Sequence, residues 1–225
     1  MKFQKEESGD YMIISPSILN VEDDKKIEYI KKLEENQITY LHLDVMDGKF
    51  VTNKTFDDKY IKTLREHSKM IFDTHLMVKE PEKVINDYIL SGSDYITFHI
   101  EATSKPYNII ETLKRNNKKI GISIKPNTIL EEILEFLPFI DLVLVMSVEP
   151  GRGGQSFIKH TLDKIKTLKQ LKEERNYNYL IEVDGGINNE TAPLVKKAGA
   201  DMIVVGSYLV KQPDLSLAIK GLKNI

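Results

Sequence analysis

Three short runs of this 225-residue sequence carry ionisable side chains where a buried strand would carry apolar ones. In Leu41-His42-Leu43-Asp44-Val45-Met46, a period of two puts His42, Asp44 and Met46 on one face and Leu41, Leu43 and Val45 on the other. The same alternation pairs His75 with Met77 in IFDTHLM, and Glu182 with Asp184 in YLIEVD. A buried charge is costly unless it is paired or bound to a metal. Taken singly, a strand histidine is more often a satisfied core residue. Two imidazoles and two carboxylates brought to one rim instead make a ligand set for a divalent ion such as Zn²⁺, Fe²⁺, Co²⁺ or Mn²⁺. Cys is absent, so no thiolate or disulfide contributes, and the five His limit the candidates. His67 and His160 fall in helical stretches and are expected at the surface. His99, with Glu101, ends a strand on the same rim and is expected to support the ligands from behind or to be structural.

Glycine is the second chemical signal. Gly151-Arg152-Gly153-Gly154, Gly185-Gly186 and Gly206-Ser207 each follow an apolar run. Glycine lets the backbone approach closely, so that exposed N–H groups cradle an anion. One such turn would simply end a strand; three in succession point to a phosphate, with Arg152 adding charge or facing solvent. Met46, Met77 and Met146 each close a strand. Core packing is the default for Met, but turned inward these three would line the site and exclude water.

A phosphate anchor, a divalent ion and two carboxylates suit a phosphorylated sugar with a carbonyl. Removing the adjacent proton creates an enediolate, whose charge a metal stabilises as a Lewis acid. Inverting that carbon requires one group to take the proton from one face and another to return it on the opposite face. Asp44 and Asp184, from the second and seventh of eight strands, can approach from different sides, and metal coordination would hold both in position. Two carboxylates would also suit glycoside hydrolysis, which the phosphate turns and the two His make less attractive.

These groups must be positioned by regular elements, and the chain supplies them. Strand-like runs fall at 12–17, 39–45, 71–77, 95–100, 120–125, 142–146, 179–184 and 202–206, separated by stretches of helical period. Ile158, Leu162, Ile165, Leu168 and Leu171 share one helix face; Glu80-Pro81 opens the third helix, Asn188 can cap the seventh, and Gly199 follows its end. Eight strand–helix units of roughly 28 residues predict a minimal (β/α)₈ barrel, with chemistry at the carboxyl ends of the strands. An open doubly wound sheet would carry a Gly-rich turn after its first strand, where this chain reads SPSILN. No linker breaks the chain, so one domain over 1–225 is expected, with 1–10 a short extension.

Composition excludes several classes. Lys plus Arg number 32 and Asp plus Glu 34, a net charge of −2 with no block of one sign, which argues against a nucleic-acid partner. No apolar run is long enough to span a membrane, and the charged amino terminus lacks a signal-peptide core. A soluble protein of a reducing compartment, the cytoplasm, is the expectation.

SPSIL, HLDVMDGKFV, THLMV, VEPGRGGQSF and EVDGGIN, in order from about Ser15 to Ser207, resemble the successive signatures of the ribulose-phosphate 3-epimerases. The resemblance implies a TIM barrel of the ribulose-phosphate-binding type that interconverts D-ribulose 5-phosphate and D-xylulose 5-phosphate in the pentose phosphate pathway. It further implies one bound metal, Zn²⁺ foremost, on His42, Asp44, His75 and Asp184. Asp44 would accept the proton and Asp184 donate it, with the roles exchanged in reverse. Ser17 and His75 would contact substrate, and Gly151, Arg152, Gly153, Gly154, Gly185, Gly186, Gly206 and Ser207 would hold its phosphate end. Homo-oligomers are implied as well. Two departures stand out: Arg152 where an aromatic usually follows the first Gly, and Thr52 in FVTN where Pro is more common. They bear on loop mobility and substrate affinity rather than on the reaction. Rival readings are an epimerase of another ketose phosphate such as allulose 6-phosphate, a phosphate-barrel decarboxylase or aldol-type synthase with a Lys/Asp cluster, and a non-catalytic phosphosugar-binding barrel.

Overall fold

Every apolar run forms a strand: β1 (Ile13–Pro16), β2 (Tyr40–Met46), β3 (Ile71–Met77), β4 (Tyr95–His99), β5 (Lys119–Ile124), β6 (Leu142–Met146), β7 (Leu180–Asp184) and β8 (Met202–Val205). The computed structural model describes residues 11–225; the extension expected over 1–10 lies outside the described residues. All seven ladders are parallel and join neighbours in the order β1-β8-β7-β6-β5-β4-β3-β2. A parallel bridge between Ser17 and His42 closes the ring between β1 and β2. β1 thus makes a four-residue ladder with β8 and this single bridge with β2.

Helices α1 (Lys26–Glu35), α2 (Asp58–His67), α3 (Ile85–Leu90), α4 (Pro106–Arg115), α5 (Thr161–Glu174), α6 (Ala192–Ala198), α7 (Ser207–Val210) and α8 (Leu215–Lys223) surround the barrel. Their buried residues, such as Ile61 and Leu64 of α2 or Ile109, Ile110 and Leu113 of α4, belong with Leu41, Leu43 and Val45 to one apolar layer between helices and strands. That is the face to which the period of two assigned those three residues.

Three local expectations are corrected. Between β5 and β6 the chain forms two 3₁₀ stretches, Leu130–Glu132 and Leu134–Phe139, instead of an α-helix; Pro138 within the second removes a backbone donor. Ile158 precedes α5 rather than lying on it, while Ile165 and Leu168 are fully buried. Asn188 is not the cap of α6, whose N-cap is Thr191; its Oδ1 instead accepts the N–H groups of Glu190 (2.8 Å) and Thr191 (3.1 Å) in the turn before it. Pro81 opens a 3₁₀ turn leading into α3, and Gly199 ends α6 at φ 110°.

Inside the barrel, the amino-terminal end is plugged by Tyr40, Tyr95, Leu142 and Met202, with the two tyrosine rings 6.0 Å apart. Gly121 on β5 faces Thr97 on β4 in register. A Cβ at Gly121 would lie 2.1 Å from the Thr97 hydroxyl and 2.8 Å from its Cβ, so only glycine fits this point of the wall. Gly121→Ala should therefore destabilise the fold by about 1–3 kcal/mol through overpacking. Denaturant unfolding checks this: the midpoint should fall at constant slope, and an unchanged midpoint would refute the packing argument.

Candidate active site

Four side chains converge at the carboxyl end of the barrel. β2 brings His42 and Asp44, β3 brings His75 and β7 brings Asp184, and one ligand atom from each lies within 4.8 Å of all the others. Asp44 Oδ1 stands 3.4 Å from His42 Nε2 and 3.4 Å from His75 Nδ1. Both nitrogens are buried and have no hydrogen-bond partner. Ligands about 2.0–2.1 Å from a tetrahedral metal stand about 3.4 Å from each other, so the spacing fits a divalent ion. A buried nitrogen left unpaired costs about 1–3 kcal/mol, and two aimed at one gap argue for a cation between them.

Neighbours fix these orientations. Asp73 Oδ2 lies 2.6 Å from His42 Nδ1 and accepts the hydroxyl of Ser15 at 3.1 Å, which turns Nε2 of His42 to the gap. The Ser17 hydroxyl donates to Asp44 Oδ2 at 2.7 Å. His75 Nε2 meets His99 Nε2 at 2.9 Å, and His99 Nδ1 lies 3.0 Å from Glu101 Oε2. The supporting place expected for His99 and Glu101 is thus where they lie. Asp73, which sequence reasoning missed, was signalled by the same alternation: it precedes His75 by two residues on one face of β3.

The electrostatics separate the carboxyl groups. Burial, and then the charge of Asp44, push Asp184 up to about 7. Burial works in the same direction on Asp44, but His42 and His75 outweigh it and hold Asp44 below the usual carboxylate range. Glu182, fully buried beside Asp73, is pushed well above its ordinary value by burial and by the Asp73 charge. It lies below the four-residue cluster, its Oε1 3.7 Å from His42 Nδ1. Burial disfavours a charged His42, yet Asp73 and Asp44 raise it well above the ordinary imidazole value. Its unpaired nitrogen at the gap is Nε2, where a divalent ion would stand in place of a proton.

Above the cluster opens a cavity. Ser17, Asp44, Asp184 and all the expected glycine-turn positions line it: Gly151, Arg152, Gly153, Gly154, Gly185, Gly186, Gly206 and Ser207. Met46, Met77 and Met146 line it too and are nearly inaccessible to solvent, as their inward placement required. His42 and His75 are fully buried beneath, so His75 reaches the gap rather than the open cavity. Asn20, just after β1, lies against the turn after β6: a Cβ at Gly153 would sit 2.3 Å from its Oδ1. Gly186 has φ 66°, and a Cβ there would lie 2.6 Å from the Phe157 nitrogen, which is why this turn is glycine. Thr52 and Arg152 are both exposed. Asn53 Nδ2 donates to the Gly151 carbonyl at 2.7 Å and ties their two loops together at the mouth. His67 is exposed at the end of α2; His160 is also exposed, but in the turn before α5 rather than on a helix.

The chain is also similar to known proteins in sequence and in fold. The model of the Ribulose-phosphate 3 epimerase family matches residues 13–210. The chain is 43% identical to a ribulose-phosphate 3-epimerase of Treponema pallidum, covering 86% of this chain and 89% of that one. It is 39% identical to the enzyme of that name from Synechocystis, covering 95% and 94%. Among solved structures, 3-hexulose-6-phosphate synthase from Salmonella typhimurium superposes with a TM-score of 0.68 at 16% identity, covering 94% of this chain and 97% of that one. That last likeness is one of fold.

Proposed function

The chain belongs to the ribulose-phosphate 3-epimerase family, and from that premise we propose how its cavity inverts the carbon beside a sugar-phosphate carbonyl. It is an isomerase of the epimerase class. One observation carries the reading: His42, Asp44, His75 and Asp184 present ligand atoms within 4.8 Å of one another at the floor of a glycine-lined cavity. The substrate is a phosphorylated pentulose, D-ribulose 5-phosphate in one direction and D-xylulose 5-phosphate in the other.

The four residues would hold one divalent ion, and a set of two imidazoles and two carboxylates suits Zn²⁺. Such an ion supplies Lewis-acid stabilisation of the negative charge that develops on the sugar oxygens. Everything else falls to side chains and backbone. Asp44, held by the Ser17 hydroxyl, takes the proton from one face of the carbon. Asp184, at the end of β7, returns a proton to the other face, and the two exchange roles in reverse. Met46, Met77 and Met146 keep water from the planar enediolate. Gly151, Gly153, Gly154, Gly185, Gly186, Gly206 and Ser207 hold the phosphate, with Arg152 adding charge at the mouth.

The remaining parts of the reading are a single domain over 1–225, a homo-oligomeric state and a cytoplasmic location without nucleic-acid or membrane partners. Among the described residues, no helix is long and apolar enough to cross a membrane. The substrate assignment is tested by following D-ribulose 5-phosphate and D-allulose 6-phosphate in separate assays in D₂O. Faster inversion of the pentulose is expected; the opposite order would transfer the assignment to the hexulose.

A further inference from the structure

We propose that Glu101 and His99 are positioning residues that hold His75 in its Nε2–H tautomer and leave Nδ1 bare for the metal. The proposal rests on the reading of His75 as a ligand and adds the device that prepares it.

The argument starts at the outer end. Glu101 follows β4 in a 3₁₀ turn, and its side chain keeps only 21% of its surface exposed. Its Oε1 accepts the backbone N–H of Lys125 at 2.7 Å and the hydroxyl of Thr128, both from the loop after β5. Its Oε2 lies 3.0 Å from His99 Nδ1. An ionised carboxylate only accepts, so the hydrogen in that contact sits on His99 Nδ1. A neutral imidazole with Nδ1–H has its lone pair on Nε2. That nitrogen is 2.9 Å from His75 Nε2, and two bare nitrogens at this distance would repel. His75 Nε2 must therefore donate, and His75 Nδ1 is left with a lone pair. This is the buried nitrogen without a hydrogen-bond partner, 3.4 Å from Asp44 Oδ1.

The relay is sheltered. His99 is fully buried, so water does not compete for either nitrogen. The Phe50 ring lies 4.8 Å from the His99 ring, and Lys125 Nζ sits 4.2 Å from the Phe50 centroid. His42 is prepared differently, since Asp73 takes its Nδ1 and turns Nε2 inward. The two histidines thus offer opposite nitrogens to one gap, each chosen by its own carboxylate. A glutamine at position 101 would remove that choice, because its amide can donate to His99 Nδ1 and reverse every hydrogen in the chain.

Two measurements test this. In metal-free wild type labelled with ¹⁵N in its imidazoles, His75 should show a protonated Nε2 and an unprotonated Nδ1; a protonated Nδ1 would overturn the proposal. In competition with a chromophoric chelator, Glu101→Gln should bind Zn²⁺ about 10–100-fold more weakly than wild type, as loss of a ligand's supporting partner does. Unchanged affinity would overturn it as well. Circular dichroism shows whether the variant is folded, and the wild-type spectrum decides the tautomer even if it is not. Wild type that has the Nε2–H tautomer yet binds no Zn²⁺ would overturn the ligand reading of His75 and not the relay, so the two failures are distinguishable.

Discussion

Asp184→Asn is expected to leave the barrel folded and to lower epimerisation by about 10²–10⁴-fold, the range associated with loss of a positioned acid or base. The substitution is isosteric, and Asp184 is half-buried at the end of β7 with its side chain lining the cavity, so the fold asks little of its charge. What is lost is the proton that must return to the second face. The labelling pattern should separate the two faces. With Asp44 intact, deuterium should still enter ribulose 5-phosphate at the inverted carbon, while xylulose 5-phosphate, whose proton faces Asp184, should neither exchange nor convert. Asn is also a weaker metal ligand than a carboxylate, so bound metal must be measured in the same sample and saturated before rates are compared. Near-normal conversion by the variant would eliminate the two-carboxylate mechanism.

Metal removal should have an effect of similar size. His42 Nε2 and His75 Nδ1 are buried without hydrogen-bond partners, and a cation between them and the two Asp satisfies both at once. Dialysis against a chelator should abolish turnover, and added Zn²⁺ should restore it. The same ion should stabilise the protein by mass action, by about 2.7 kcal/mol at a free concentration 100 times its dissociation constant. Thermal unfolding with and without Zn²⁺ reads this independently of activity. Turnover that persists when elemental analysis finds no metal would overturn the ligand assignment.

Much of the site was legible because strands impose a strict period. His42 and Asp44, His75 and Met77, and Glu182 and Asp184 are each two residues apart, and the register turns each pair inward. Asp73 shares that face with His75 and could have been found by the same rule. Glu182 could not be told from Asp184 by alternation alone. Depth distinguishes them: Glu182 lies a layer below, against Asp73, and is fully buried, while Asp184 reaches the cavity. The missing helix between β5 and β6 was also hard to read. Its pattern of Leu, Ile and Phe suits a helix face, but Pro138, which has no backbone donor, falls inside the second of the two 3₁₀ stretches that form instead.

The order of elements, the inward polar faces and the glycines at the carboxyl ends followed from sequence alone, because they depend on local period and on backbone sterics. Which nitrogen of each histidine faces the gap did not. That depends on partners 24 and 31 residues away, His99 for His75 and Asp73 for His42, brought together only when adjacent strands pair. The sequence determined which residues could bind a metal. The pairing of β2 with β3 decided that the unpaired nitrogens of His42 and His75 meet Asp44 Oδ1 at 3.4 Å, the separation of two ligands on one ion.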